Sequence, residues 1–258
     1  QGNLKKTIRS WTGLMTKEGE DTMVRIREIF KHTLKSMLMC LDGLLFPFVL
    51  PYIIKKKGIK SIHLSIDDVR YDLSTQGRGN KLLLDNDLMS FLRKLNVPIT
   101  LFLYNKEELK NPCPIKKSAL IKIGAHLPCL LFDENLKPML NAKEVRFHCY
   151  MANRAEIESA RVKGISHLLC CHDSKRTSYD LSKEEQNNVN MMEEVCKNGM
   201  LYVKTNVRLE WPIILQVIRI RQTRMVVFGH EWGMKSWQNK LVKLLKTLKT
   251  KDIQIINF

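Results

Sequence analysis

Two adjacent carboxylates stand where a predicted strand ends. Ser61–Ile66 alternates polar and apolar side chains, and Asp67 and Asp68 come directly after it. Two neighbouring acids can divide the work of hydrolysis. One binds a divalent metal, which lowers the pKa of a bound water to about 7, and the other accepts that water's proton as a general base. Adjacent strand residues face opposite sides, so we expect a turn that aims both inward; a plain turn or helix cap is the alternative role.

Ionisable and aromatic side chains also stand at the ends of other predicted strands. They are His126; Arg146, His148 and Tyr150; His172 and Asp173; Arg208 and Glu210; and His230, Glu231 and Trp232. In parallel α/β folds the carboxyl ends of the strands meet at one edge, so we expect these groups to converge there. Carboxylates and imidazoles are typical ligands of a divalent metal. An imidazole across the site, with an ordinary pKa near 6.5, could protonate a leaving group.

The elements that must position these residues alternate along the chain. The predicted strands are Ser61–Ile66, Pro98–Tyr104, Leu120–His126, Glu144–Cys149, His167–Cys171, Leu201–Thr205, Met225–His230 and Ile253–Phe258. The predicted helices are Asp85–Leu95, Arg154–Lys163, Ser182–Lys197, Trp211–Arg221 and Lys235–Thr250. Several strands are apolar on both faces, which is typical of strands buried under helices. The alternation predicts an α/β fold with a parallel sheet or barrel.

The residues before the first predicted strand indicate a separate element. We expect a helical extension over residues 1–57 and one barrel domain over residues 58–258. Within the extension, Met37–Ile54 is almost entirely apolar and precedes the lysines of Lys55–Lys60. A membrane span needs about 20 apolar residues. Asp42, Gly43, Pro47 and Pro51 are expected to interrupt the segment, which favours a buried helix followed by a loop. A membrane-surface segment and a true span remain the alternatives.

The excess of basic residues indicates which kinds of binding partner the protein could have. The formal net charge of +17 suits an acidic partner: nucleic acid, an anionic membrane, or a negatively charged glycan or nucleotide-sugar. General solubility is the simpler explanation. No helix-turn-helix, zinc-finger or RNA-recognition motif is present, which disfavours nucleic acid. A weaker expectation is that Lys55–Lys60 and the last helix hold the protein against the inner membrane leaflet, near lipid-linked glycans.

The cysteines indicate the compartment. There are seven of them, Cys40, Cys113, Cys129, Cys149, Cys170, Cys171 and Cys196, without a C-x-x-C pair. An odd number in mostly apolar runs predicts buried free thiols in a reducing compartment. The first residues lead into no apolar stretch typical of a secretory signal. We therefore expect a cytoplasmic protein that is peripheral to the inner membrane.

The order of these motifs resembles a known family. "SIDDV", "GAH", an arginine-containing strand and a late "GHEW" before a helix and short strand resemble the polysaccharide deacetylase superfamily, carbohydrate esterase family four. "SIDDVRYDL", "TSYDLS", "TNVRLEW" and "FGHEW" are similar to a divergent branch tied to O-antigen and surface-polysaccharide gene clusters. The likeness covers roughly Ile62 to Phe258.

The resemblance implies a fold, a reaction and roles. The fold would be a distorted (β/α)7 barrel, and the reaction the metal-assisted removal of an N- or O-acetyl group from a sugar, glycan or lipid-linked glycan precursor, with zinc the first choice of metal. Asp67 matches the general base, Asp68 the first metal ligand and His126 the first metal histidine. Arg146 resembles the arginine that orients the base, Tyr150 the aromatic residue that shapes the pocket, and His230 the catalytic acid.

Three departures from the family pattern leave alternatives open. Leu130 stands where the second metal histidine is expected, so His148 or His172 would supply that ligand. Val69 replaces the usual glycine, and the proline of the arginine motif is absent. We favour a hydrolase with a rebuilt metal site over a non-catalytic glycan-binding or assembly protein on the same scaffold. The remaining candidates are substrate contacts or supports of other site residues: His172, Asp173, Arg208 and Glu210, and Trp232, which would stack on a sugar ring or support His230.

Overall fold

The computed structural model of the chain describes residues 2–69, 86–104, 119–126, 141–171 and 180–258. The chain divides into two compact units, Gln1–Leu44 and Leu45–Phe258. The helices are α1 (Gly2–Lys57), α2 (Asn86–Leu95), α3 (Arg154–Val162), α4 (Lys183–Asn190), α5 (Ile213–Ile218) and α6 (Met234–Lys249). Helix α1 spans Gly2–Lys57, the range expected for a helical extension, and its last turns, from Leu45 on, belong to the second unit.

The strands form one mixed sheet. They are β1 (Ser61–Val69), β2 (Ile99–Leu103), β3 (Ile121–Ala125), β4 (Glu144–Val145), β5 (His167–Cys170), β6 (Val195–Lys197), β7 (Met200–Lys204), β8 (Val207–Arg208), β9 (Arg224–His230) and β10 (Gln254–Ile256). Their order is β6-β7-β5-β4-β3-β2-β1-β9-β8, with β10 beside β1. The pairs are parallel except β6 with β7. The carboxyl ends of the parallel strands therefore share one edge.

The sheet is curled, and β7, which lies next to the edge strand β6, is joined directly to β8, the edge strand on the other side. β7 pairs with β5 and β8 pairs with β9, and only residues 205–206 separate β7 from β8. The Thr205 amide donates to the Cys170 carbonyl at 3.1 Å, and the Asn206 amide donates to the Val226 carbonyl at 3.1 Å. The expected barrel-like α/β fold is thus supported. A regular (β/α)7 alternation is not, because β4 and β8 span two residues each and β6–β7 is a hairpin.

The inside of the curled sheet holds both apolar and charged side chains. Phe102, Leu169, Val203 and Val226, from four strands, form one buried cluster. His63 is the register partner of Val226 and shares its face of the sheet. Its Nε2 lies 3.0 Å from Glu144 Oε1, and the Thr100 hydroxyl donates to the same carboxylate. All three polar residues of this network are fully buried, at 0% exposure.

Two predicted elements are corrected. The strand expected over Glu144–Cys149 ends at Val145, and His148–Tyr150 forms a 3₁₀ turn in which Cys149 and Tyr150 have φ of 53° and 58°. The helix expected over Ser182–Lys197 ends at Asn190. The last residues of that range instead form β6, which turns into β7 through Asn198 and Gly199, both left-handed. Asn-Gly is the preferred sequence of such two-residue hairpin turns.

The loop expected within Met37–Ile54 is wrong, because α1 continues through it with Pro47 and Pro51 inside the helix. Proline removes a backbone hydrogen bond, but burial of the apolar side chains on this part of the helix compensates. The residues that join the main hydrophobic cluster are Phe46, Leu50, Ile53 and Ile54. Among the described residues, Glu28–Lys57 is the one helical stretch long and apolar enough to cross a membrane, judged by length and composition alone.

The cysteine expectation is partly corrected. Within the described residues the cysteines are free thiols, as expected, but only Cys170 and Cys171 are buried. Cys40, Cys149 and Cys196 are exposed. Cys113 and Cys129 lie outside the described ranges.

Candidate functional site

A bulge in β1 brings the two adjacent acids to the same end of the sheet. Asp67 is the register partner of His230 in β9, and the register of β1 against β2 shifts between Ile66 and Val69. Asp68 lies at this shift with a left-handed φ of 57°. A bulge inserts one residue and re-aims the side chains beside it. In place of the turn expected after the predicted strand, the acids lie at a bulge within β1.

Asp68, His126 and His148 form a triangle of ligand atoms. His126 Nε2 lies 3.3 Å from Asp68 Oδ1, His148 Nδ1 lies 3.8 Å from the same oxygen, and the two ring nitrogens are 3.4 Å apart. Zinc bonds of about 2.0–2.1 Å at tetrahedral angles place ligand atoms about 3.3–3.4 Å apart. The triangle matches three corners of such a site, and the fourth is the position that catalytic zinc sites leave to water or substrate.

The tautomer of His126 suits a metal ligand. Its Nδ1 lies 2.7 Å from the backbone carbonyl of Arg146, which can only accept, so Nδ1 carries the proton and the Nε2 lone pair points into the triangle. Asp68 Oδ1 is buried, and within the described ranges it accepts no hydrogen bond. A buried acceptor facing imidazole nitrogens is stabilised by a cation. The three residues therefore fit a divalent metal.

Charge and burial shift the pKa values of this triangle. Burial lowers the pKa of His126, but the carboxylates of Asp67 and Asp68 outweigh it and raise that pKa above its ordinary value. Burial raises the pKa of Asp68, but the neighbouring His126 and the indole N–H of Trp232 hold that pKa well below its usual range. Burial and the neighbouring His126 lower the pKa of His148. The carboxylate of Asp68 and the neutral ring of His148 are the forms that bind metals.

Arg146 fixes Asp67 from inside the sheet. Its Nη1 donates to Asp67 Oδ1 at 2.6 Å and to Ser65 Oγ at 2.9 Å, and its Nη2 donates to Thr205 Oγ1 at 3.2 Å. The side chains of Arg146 and Asp67 are 0% and 1% exposed. The guanidinium also lies over the ring of Phe228, 4.8 Å from its centroid. This arrangement engages one carboxylate oxygen of Asp67 and orients the group.

His230 is held by contacts on several sides. Glu210 Oε1 accepts from the His230 amide at 2.6 Å and lies 3.0 Å from its ring Nδ1, while Trp237 Nε1 donates to its carbonyl at 3.0 Å. Gly233 allows Glu210 to approach, because a Cβ at Gly233 would lie 3.1 Å from Glu210 Oε1. With Nδ1–H donated to Glu210, Nε2 is the ring nitrogen available to a substrate.

Trp232 contacts both the triangle and His230. Its Nε1 donates to Asp68 Oδ2 at 2.9 Å. Its ring stacks on His230, with centroids 4.9 Å apart at 28°. Through these contacts Asp68, His126 and His230 lie close together at one edge of the sheet.

The other predicted residues are distributed around this place. Tyr150 is partly buried near Arg146 and Asp67, and with Phe147 it lines a small cavity beside Cys170 and Cys171. Arg208 Nε donates to Glu210 Oε2 at 3.0 Å, which links Arg208 to the support of His230. The remaining candidates, His172 and Asp173, and the departure at Leu130 lie outside the described residues.

Sequence reasoning missed Tyr104 and Trp237. Tyr104 comes directly after β2, and its ring meets His148 edge to face at 4.7 Å. The other residues were identified by their position just after a strand, and the same rule applied to β2 identifies Tyr104. Trp237 lies in the first turn of α6, where its apolar spacing indicates only a core residue. Nothing in the spacing predicts its bond to the His230 carbonyl.

Comparison with known proteins gives one distant structural likeness. No family model matches the chain, and no curated protein matches it at a significant level. A solved structure similar to it comes from Bordetella bronchiseptica and is described as a "putative polysaccharide deacetylase involved in O-antigen biosynthesis". The two chains are 12% identical, the match covers 74% of this chain and 90% of that one, and the TM-score is 0.42.

Proposed function

We propose that this protein is a metal-dependent hydrolase that removes an acetyl group from a sugar or glycan precursor. The observation that carries the proposal is the triangle of Asp68, His126 and His148, whose ligand atoms all lie within 4.8 Å of one another. A fixed carboxylate, Asp67, and a fixed imidazole, His230, lie beside it. The sequence resemblance to polysaccharide deacetylases supports the acetylated sugar as substrate class, including the lipid-linked glycans of O-antigen or surface-polysaccharide synthesis.

The residues of the chain take separate parts in this reaction. Asp67, oriented by Arg146, accepts a proton from the attacking water, whose oxygen bonds to the acetyl carbon. His230 donates a proton from Nε2 to the leaving nitrogen or oxygen as its bond to that carbon breaks, which releases acetate and the free amine or alcohol. In this step His230 acts as an imidazolium: the Glu210 carboxylate accepts from Nδ1–H and stabilises the positive charge, while Nε2–H faces the leaving group.

A divalent metal, zinc by preference, would be held by Asp68, His126 and His148. When bound, it would supply Lewis-acid polarisation of the acyl group and of the water. Three protein ligands with a remaining open position are typical of catalytic rather than structural zinc sites.

Asp67→Asn tests the assignment of the base. We expect the variant to bind zinc like the wild type but to release acetate at least about 100-fold more slowly from 4-nitrophenyl acetate and from an N-acetylated oligosaccharide. Asp252→Asn, at an exposed position, serves as the matched control. Wild-type acetate release by Asp67→Asn would reject Asp67 as the base.

A non-catalytic glycan-binding protein on the same scaffold is the second candidate. The absent second histidine of the family motif, at the position of Leu130, favours it. Metal analysis separates the two, because a hydrolase of this kind requires stoichiometric zinc. Failure to load zinc under any condition would favour binding alone.

We also propose that α1 contacts an anionic membrane surface, which would place a cytoplasmic protein at the inner membrane. In the second unit, Leu45, Phe48 and Tyr52 recur at helical spacing and are 47%, 78% and 64% exposed. The exposed Lys55 and Lys56 lie on the next turn. Exposed apolar side chains followed by lysines are typical of helices that lie in a membrane interface.

A further inference from the structure

Trp232 connects the two chemical halves of the site through one side chain. The indole N–H donates to Asp68 Oδ2 at 2.9 Å, and the indole ring stacks on His230 at 4.9 Å. Asp68 belongs to the proposed metal triangle, and His230 is the proposed proton donor. The rigid indole of Trp232 therefore contacts both the proposed metal ligand Asp68 and the proposed proton donor His230.

The bond to Asp68 decides which carboxylate oxygen faces the triangle. Oδ1 lies 3.3 Å from His126 Nε2 and 3.8 Å from His148 Nδ1, whereas Oδ2 receives the indole proton. Asp68 sits on left-handed backbone within a bulge, where the ladder of β1 does not constrain it from both sides. A carboxylate that ligates a metal usually needs a second hydrogen bond to stay oriented.

The stacking contact constrains a face of the His230 ring, in addition to the edge contact from Phe228 at 5.4 Å. Glu210 holds one edge of the imidazole, through Nδ1, while Trp232 covers a ring face. An aromatic pair in a stacked arrangement interacts favourably, and tilting one ring away from the other would forfeit that interaction. The same indole thus sets both the tilt of His230 and its spacing from Asp68.

We propose that Trp232 is a positioning residue, which orients Asp68 Oδ1 toward the metal and keeps His230 at a fixed separation from it. This inference rests on the proposed hydrolase function. It differs from a role as a sugar-stacking platform, although 53% of Trp232 is exposed. A platform would change substrate affinity but leave metal affinity unaltered.

Trp232→Phe removes the indole N–H and retains an aromatic ring against His230. We expect its affinity for Zn²⁺, measured by competition with a chromophoric chelator, to fall about 10- to 100-fold. The visible spectrum of the Co²⁺-loaded variant should also differ from that of the wild type, because a ligand has reoriented. Trp232→Ala should lose metal affinity to a similar extent and lower kcat further than Trp232→Phe, since it also loses the stack.

Trp211→Phe is the matched control, because Trp211 is a tryptophan of similar exposure, 48%, that lies outside the triangle; it should bind Zn²⁺ like the wild type. If Trp232→Phe binds Zn²⁺ within twofold of the wild type while Asp68→Asn does not, or if only KM rises, the positioning role is rejected and the hydrolase proposal survives. If the wild type itself takes up no Zn²⁺, both proposals fail.

Discussion

Arg146 shows how strongly single residues determine this site. Its guanidinium is fully buried, yet it has a carboxylate, two hydroxyl partners and aromatic rings around it. Removing one member of a buried ion pair leaves the other charge without compensation, which costs far more than the pair contributes when intact. Orientation of the proposed base and stability of the fold therefore depend on the same contact.

We expect Arg146→Met to lower the free energy of unfolding by about 3–5 kcal/mol, because Asp67 would remain buried and charged without its partner. In the double variant with Asp67→Asn the loss should be smaller than the sum of the two single losses. Urea denaturation of the four proteins measures this coupling. Arg219→Met, at an exposed position, should change stability by less than about 0.5 kcal/mol. Additive losses in the double variant would contradict the interpretation.

Convergence of the site residues could be predicted from the sequence because parallel strands share one edge at their carboxyl ends. The local path of the backbone could not. Cys149 and Tyr150 adopt left-handed φ without being glycine, so nothing in their residue types indicates the turn that carries His148. The sequence places His148 at an inward-facing strand position, whereas it reaches the triangle from a 3₁₀ turn. Likewise the bond from Trp232 to Asp68 depends on tertiary contact between β1 and the residues after β9.

At the scale of elements, the polar side chains of β1 have a different environment from the one that its sequence pattern indicates. The alternation of Ser61–Ile66 is typical of a strand with one solvated face, yet its polar residues His63 and Ser65 face the buried interior of the curled sheet. They lie there because β4 and the residue after it contribute Glu144 and Arg146 to the same interior. The composition of one strand cannot reveal a partner that lies some eighty positions later.

His63 makes the stability of the sheet dependent on pH. Burial lowers its pKa below the ordinary 6.5, although Glu144 opposes this shift; Arg146 and Arg224 lower it further. Below about pH 6.5, His63 therefore binds a proton in the unfolded chain but not in the folded chain. The free energy of unfolding consequently falls as the pH drops, by up to about 1.4 kcal/mol per pH unit. The low pKa of Glu144 acts in the same direction at more acidic pH.

We expect His63→Gln, which keeps a donor for Glu144 but does not titrate, to show a shallower loss of stability between pH 6.5 and pH 5 than the wild type. Denaturant midpoints across this range measure the difference between the two slopes. Equal slopes would show that His63 titrates alike in the folded and unfolded chains.

Gly124 in β3 permits close packing inside the sheet. A Cβ at this position would lie 2.6 Å and 2.7 Å from two ring atoms of Phe102, a fully buried residue. We expect Gly124→Ala to destabilise the protein by about 1–3 kcal/mol through overpacking, seen as a lower Tm. Gly43→Ala is the control, because no atom of the described residues lies within 4 Å of its Cβ position and alanine favours the helix. A Tm of Gly124→Ala equal to that of the wild type would exclude the steric role.

For the whole molecule, the class of fold was predictable from the sequence, and the strand pairing that curls the sheet was not. Alternating strands and helices indicate a parallel α/β sheet, and the described residues form one. The hairpin of β6 and β7 carries the sequence signal Asn198-Gly199, which directly follows a longer helical pattern that obscures it. Residues 205–206 connect β7 to β8, and this connection follows from the pairing of β7 with β5 and of β8 with β9. No local sequence pattern predicts these pairings.

The charge and the exposed face of α1 predict binding to membranes. We expect cosedimentation with vesicles of phosphatidylcholine and phosphatidylglycerol, and little with phosphatidylcholine alone, because lysines near an anionic surface contribute about 1 kcal/mol each. Phe48→Ser with Tyr52→Ser should reduce binding at least about tenfold, since each large apolar side chain contributes about 1.5–3 kcal/mol on burial. Val162→Ser, at a 75% exposed position on α3, should bind as the wild type does. Equal binding to the two kinds of vesicle would contradict the proposal.

The bulge at Asp68 also restricts how β1 can change by mutation. The residues between Ile66 and Val69 are Asp67 and Asp68, so deleting either one removes the extra residue of the bulge and leaves a single acid at this edge of the sheet. Aspartate and asparagine tolerate left-handed backbone better than most residues. The backbone therefore favours the same short acid that the proposed metal site uses, and glutamate would be less suited to this left-handed position. The proposed base, Asp67, and the proposed metal ligand, Asp68, therefore depend on the same bulge. Deleting one codon would remove that bulge, and a single substitution would not restore it.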